Sequence, residues 1–194
     1  MDELGAGSLA AIISSGLKRA AAGEEEGPEC AWTGGEELRT ICKSWSHSIK
    51  NSHPIQAASA KLLMNPNLPL DTRDLSRASQ LLTEVNKASR VDHLYRGMYV
   101  SKSDAEAMLK LSGREFTLPL SSFSSAREQA EIFAIAPGDS VSVMIDARNI
   151  RGFDIHELVM PSYSDQMEHL VAGTFRVGPV YHSGNQIWMV LEEM

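Results

Sequence analysis

Cysteine is scarce in this 194-residue chain: Cys30 and Cys42 are the only two, without CxxC spacing and with no histidine beside either. A disulfide scaffold or a structural zinc site has no basis in such a pattern, and a reducing compartment is the default. The six histidines are scattered and form no HExxH pattern, so no metal is expected. Cations are short as well, 18 Lys and Arg against 25 Asp and Glu, a formal net charge of −7. A surface built to hold a nucleic-acid backbone is not expected on that balance, although one local basic site for a small anion is compatible with it. No apolar run is long enough to span a bilayer, so no membrane segment is expected. A G-x-S-x-G elbow is missing and no histidine stands out as a base, which sets a Ser-His-Asp hydrolase aside.

What is present reads as an α+β domain behind a weakly structured start. Residues 1–35 open with acidic Asp2 and Glu3, and Lys18-Arg19 follow the apolar run where a secretion signal would need them before it. They read as a marginal amphipathic helix or a disordered arm, with AAAGEEEGPECAWTGG as a linker. From there to Arg90 the period is helical: Leu38, Ile41, Cys42, Trp45 and Ile49 make one apolar stripe. A second helix is expected after Pro54 (Ile55, Ala58, Leu62), and a third after an Asp71 N-cap (Leu75, Ala78, Leu82, Val85).

Beyond Arg90 the texture turns extended. HLYRGMYV, FTLPLSSFS, SVSVMID, IHELVM, MEHLVA, TFRVGPV and QIWMVLEE are strand candidates. Two short helices interrupt them, with capping boxes predicted at Ser103/Glu106 and Ser125/Glu128 and a stop at Gly113. The expected domain runs over 36–194, helical over 36–90 and sheet-rich over 91–194.

Three polar positions interrupt apolar pattern. Arg96 shares a strand face with Leu94, Met98 and Val100; such an arginine either snorkels at a sheet edge or faces an anion. Gly97 beside it signals close approach of another group. Ser122 and Ser124 flank Phe123, so two hydroxyls share one face of an extended chain; capping of the next helix explains one of them at most. Gln166 and Glu168 alternate the same way, and read either as a solvated edge or as a charge held for chemistry beside an orienting amide.

In this order, LYRG at 94–97, SFS at 122–124 with downstream Ala130 and Phe133, and QMEHLVAGTFRV at 166–177, the chain resembles the cholera-toxin-like mono-ADP-ribosyltransferases of the Arg-Ser-Glu class. Its Gln-x-Glu motif is nearest to the clostridial Rho-modifying exoenzymes, which act on asparagine. The resemblance covers about 71–194 and matches nothing before Gly35. It implies an ADP-ribosyltransferase-like fold, two packed β-sheets forming an NAD cleft, with N-terminal helices.

It also implies the chemistry: NAD is the co-substrate, its nicotinamide–ribose bond is broken, and ADP-ribose passes to an unidentified target protein. Glu168 would stabilise the oxocarbenium-like transition state, Ser122 would orient Glu168, and Gln166 would align the acceptor. Arg96 would grip the pyrophosphate, with Gly97, Ser124 and Phe133 lining the dinucleotide site and Tyr163 contacting the target protein. A soluble protein of a cytoplasm, its own or a host's, is the matching location. The chain departs from the pattern in Phe123, where threonine is common, and in the lack of an arginine shortly after Phe133. A silent binding or virion module and an NAD glycohydrolase are the other readings.

Overall fold

The computed structural model describes residues 36–159 and 161–194, so the expectations for 1–35 lie outside the described residues. Three helices come first: α1 (Glu36–His47), α2 (Ile49–Met64) and α3 (Arg73–Lys87). Then follow β1 (Arg90–Val100), α4 (Lys102–Met108), β2 (Glu115–Ser124), α5 (Arg127–Phe133) and β3 (Val141–Arg151). The chain ends with β4 (Phe153–Asp154), α6 (Pro161–Ser164), β5 (Glu168–Ser183) and β6 (Gln186–Glu193). No helix among the described residues is long and apolar enough to cross a membrane.

The α+β expectation is met by a sheet core with helices on its outer faces. The two layers are joined into one hydrogen-bonded sheet, ordered β2-β1-β3-β6-β5-β4, with β2 also pairing with β5. Only β3–β6 is parallel. The joint is the 16-residue β5, whose first half pairs with β2 and whose second half pairs with β6. What read as two segments, MEHLVA and TFRVGPV, is therefore one strand. IHELVM forms no strand: a turn starts at Ile155, with Leu158 and Val159 N–H both bonded to its carbonyl.

Between the halves lies a core of Leu94, Met98, Phe116, Leu118, Phe123, Val143, Val171, Phe175 and Met189, among others, closed by Ala105 and Met108 of α4. A second cluster joins Ile41, Trp45, Ile55, Leu75, Ala78, Leu81 and Val85 of the helices to Leu120, Leu170 and Ala172 on the outer face of β2 and β5. Helix α5 covers the other outer face through Ala130 and Ala134 on Met144 and Trp188. The close approach signalled by Gly97 is that helix: a Cβ at Gly97 would sit 1.7 Å from the Ala130 carbonyl oxygen.

The helix ends differ from the sequence reading in detail. Helix α2 begins at Ile49 and runs through Pro54, which forfeits an intrahelical bond. Thr72, not Asp71, caps α3, accepting from Leu75 N–H, and Leu81 rather than Leu82 is the fully buried leucine. Ser101 with Asp104, not Ser103 with Glu106, caps α4. In each case several oxygen-bearing residues compete within one turn, and the backbone entry angle decides among them.

One irregularity positions the site. Opposite β5, β2 slips register between Leu118 and Ser121 and gains one residue at Pro119–Leu120, a bulge. Phe116 and Leu118 face the closed core, yet Leu120 faces the helices, and Phe123 turns back into the core. The bulge thereby sends Ser122 and Ser124 to the opposite side from Phe116 and Leu118. Its backbone groups are met by α2: Leu120 N–H donates to Ser59 Oγ at 3.0 Å, and Gln56 Nε2 donates to the Leu120 carbonyl at 2.9 Å.

Ser59 is fully buried. Ser59→Ala strands the Leu120 N–H in an apolar setting, a loss of about 2 kcal/mol. The expected result in a thermal melt is a midpoint lower by roughly 4–8 °C.

Candidate functional site

The site opens where β1 and β2 part. Their register pairing is confined to Tyr95 opposite Ser124, whereas β1 pairs with β3 along its length. The cleft at that split is lined by Tyr95, Arg96, Gly97, Ser122, Phe123, Ser124, Ala130, Phe133, Gln166 and Glu168. It thus brings together Arg96, Gly97, Ser122, Ser124, Phe133, Gln166 and Glu168 from the sequence reading.

Glu168 opens β5 and is 3% exposed. It shares the helix-facing side of its strand with Leu170 and Ala172. The Ser122 hydroxyl donates to Oε1, and the pair is bridged by the Trp45 indole N–H, 3.0 Å from Ser122 Oγ and 3.2 Å from Oε1. Ser46 Oγ donates to Oε2 at 3.0 Å. Burying a carboxylate is costly unless donors replace its water, and here they come from two layers of the fold.

Arg96 lies on the core-facing side of β1 at 8% exposure, as its strand-face pattern indicated. Its Nη1 donates to the Ser122 carbonyl at 2.5 Å, and its guanidinium carbon stands 6.0 Å from the Phe123 ring centre. The guanidinium so spans the split that the β1–β2 ladder leaves. Burial pushes its pKa down to about 10, and the negative charge of Glu168 works against that shift. The cleft therefore holds one desolvated cation and one desolvated anion.

The segment before Glu168 departs from the expected alternating strand. Gln166 lies in a turn, with its N–H on the Tyr163 carbonyl, and Met167 N–H bonds to the Ser164 carbonyl. Met167 has φ 47°, a left-handed conformation that reverses the chain just before the strand. Gln166 still lines the cleft with Glu168. Ser124 has another task than the one expected: its hydroxyl donates to the Gln166 carbonyl at 2.6 Å and accepts from Ala126 N–H at 3.0 Å. It ties the Gln166 turn to the start of α5, and the capping box predicted at Ser125 and Glu128 does not form. Ser125 is exposed, and its N–H is bonded to the Met167 carbonyl.

Tyr163 also requires correction as a target-protein contact. It is 9% exposed and packs in the cluster under the helices, because α6 turns its ring toward Leu170 and the α1–α3 layer. Met167 is the exposed side chain of that loop. The residues missed in the sequence are Trp45 and Ser46. Trp45 was visible as a member of an apolar stripe, but nothing in that stripe distinguishes an indole that fills a core from one that also donates.

No protein-family model matches the chain, and no curated protein does. Solved structures match in fold. The C3 exoenzyme of Clostridium limosum is 16% identical, with TM-score 0.56, over 79% of this chain and 83% of its own. Exoenzyme S from Pseudomonas aeruginosa, solved with human 14-3-3 protein beta and Carba-NAD, is 16% identical, with TM-score 0.55, over 82% and 73%. The ADP-ribosyltransferase Vis of Vibrio splendidus, solved with an inhibitor, is 21% identical, with TM-score 0.54, over 81% and 72%. The chain has the fold of these ADP-ribosyltransferases.

Two outcomes follow from the burial of this site. Arg96→Ala leaves the Glu168 charge and the Ser122 carbonyl without their cation, a loss of about 3–5 kcal/mol that lowers the ligand-free melting midpoint. Burial, with the charges of Glu168 and Glu84 adding to it, pushes the Cys42 thiol up to about 12. At pH 8 the native protein should keep Cys42 unalkylated by iodoacetamide, and denaturation should expose it, as read by peptide mass mapping.

Proposed function

We propose that the chain is an NAD-dependent mono-ADP-ribosyltransferase that transfers ADP-ribose to a protein side chain other than arginine. The observation that carries this is the Glu168 carboxylate, buried, bonded to Ser122 and facing a cleft that also holds Arg96. Its occurrence on this fold supports the reading, as does the Arg-Ser-Glu order of the motifs. The residues suit NAD: a guanidinium at the cleft matches a pyrophosphate, and Phe133 offers a ring to a base.

In this reaction the C1′–nitrogen bond of the nicotinamide ribose breaks, and nicotinamide leaves as a neutral base with the bonding pair. Positive charge grows on the ribose, and the Glu168 carboxylate, already desolvated and oriented, opposes it without reorganising. The acceptor then gives a lone pair to C1′ and loses its proton to solvent. Gln166 takes no proton at neutral pH; its amide donates and accepts, which suits alignment of an uncharged acceptor amide. The Gln-x-Glu resemblance to the Rho-modifying exoenzymes favours asparagine over arginine. The partners are NAD and a target protein in the cytoplasm where the enzyme acts, its own or a host's. A silent module is not favoured, since the full trio converges on one cleft.

Incubation with labelled NAD and a host-cell lysate tests the proposal. A labelled protein is expected, with labelling reduced roughly 10²–10³-fold by Glu168→Ala. Labelling that Glu168→Ala leaves unchanged overturns it, and nicotinamide release at the same rate with or without lysate indicates NAD hydrolysis to water instead.

A further inference from the structure

The motif residues all come from the sheet and its loops, yet two of the donors on the Glu168 carboxylate come from helix α1. Trp45 Nε1–H lies between Ser122 Oγ and Glu168 Oε1, and Ser46 Oγ holds Oε2. An indole nitrogen donates and never accepts, so Oε1 is obliged to accept from it. Ser122 addresses the same oxygen. The two α1 donors therefore grip opposite oxygens of one carboxylate and so define its plane. Trp45 is 1% exposed and belongs to the same buried cluster as Ile41, Ile55 and Leu81, which holds the ring rigidly.

We propose that Trp45, seconded by Ser46, is a positioning residue for catalysis: it sets the plane of the Glu168 carboxylate and the oxygen to which Ser122 is bound. This rests on the reading of Glu168 as the group that opposes charge on the ribose. Neither α1 residue touches the reacting atoms; both act through Glu168. The helical layer is on this account part of the catalytic apparatus, where the motifs alone assign it to support.

Trp45→Phe keeps most of the apolar volume and removes the donor. With nicotinamide release from NAD as the assay, the expected result is a kcat lower by roughly 10–100-fold, with KM for NAD little changed. In a Glu168→Gln background the same change should cost nothing further, because the pair acts as one unit. An activity-independent arm follows the indole N–H resonances of Trp32, Trp45 and Trp188 in 15N-labelled protein. Glu168→Gln should move the Trp45 signal and leave the other two in place. Should Trp45→Phe not fold, Ser46→Ala carries the same kinetic expectation. Unchanged kcat in the folded α1 variants, with turnover abolished by Glu168→Gln, overturns the positioning role and leaves the transferase reading intact. Full turnover in Glu168→Gln itself overturns that reading and the positioning role together.

Discussion

The extra residue at Pro119–Leu120 is the constraint on which the site depends. Side chains alternate along a strand, so a uniform β2 would put Ser122 and Ser124 on the same side as Phe116 and Leu118, inside a closed apolar core. Two hydroxyls there would lack partners, and Glu168 across the ladder would lose its serine. The bulge reverses the alternation once, and the cost is a backbone N–H and carbonyl that β5 no longer pairs. Ser59 and Gln56 take them, so a helix stands in for a missing strand over one residue. Proline at the bulge is consistent with this: it has no N–H to lose.

A buried carboxylate and a buried guanidinium within one cleft are a poor way to gain stability. Desolvation of each exceeds what an apolar pair of the same volume would cost, and the lowered Arg96 pKa shows burial outweighing the attraction of Glu168. The fold meets the expense with fixed donors: Trp45, Ser46 and Ser122 on the carboxylate, the Ser122 carbonyl under the guanidinium. Ser122 serves both, its hydroxyl on the anion and its carbonyl on the cation. A strand segment that mediates between opposite charges in this way cannot also pair with β1, which is the physical reason for the split that forms the cleft.

Much of this was legible in the sequence, and the limits are instructive. Arg96 among Leu94, Met98 and Val100 was a visible contradiction of pattern, and so were two serines flanking a core phenylalanine. Local alternation carries such information because it depends on neighbours two residues away. The partners of those groups were not legible. Trp45 lies 123 positions from Glu168 in the chain, and its apolar spacing is what a plain core residue would show. The turn at Met167 was equally hidden: a left-handed methionine has no sequence mark, so Gln166 and Glu168 read as one strand. Tyr163 read as a surface aromatic because a loop position says nothing about which side of the loop faces the helices. The serine caps were misplaced by one or two residues for a related reason, since Ser124 and Ser125 are chemically equal until the turn before Glu168 claims one of them.

The same geometry bears on where the functional unit ends. A motif search would draw it around β1, β2 and β5, with the helices as a scaffold laid on afterwards. Yet removing α1 from that face would leave Glu168 Oε2 without its Ser46 donor and Oε1 without its indole, on a strand whose next inward-facing residues, Leu170 and Ala172, are apolar. A carboxylate so exposed would regain water, and with it the freedom of orientation that electrostatic stabilisation of a short-lived cation cannot tolerate. Cys42, one turn before Trp45, feels the same charge through its raised thiol pKa, so the influence of Glu168 reaches into the helical layer and not only into the cleft. The boundary of the site therefore follows the hydrogen bonds of one carboxylate, and those bonds cross from the sheet into the first helix.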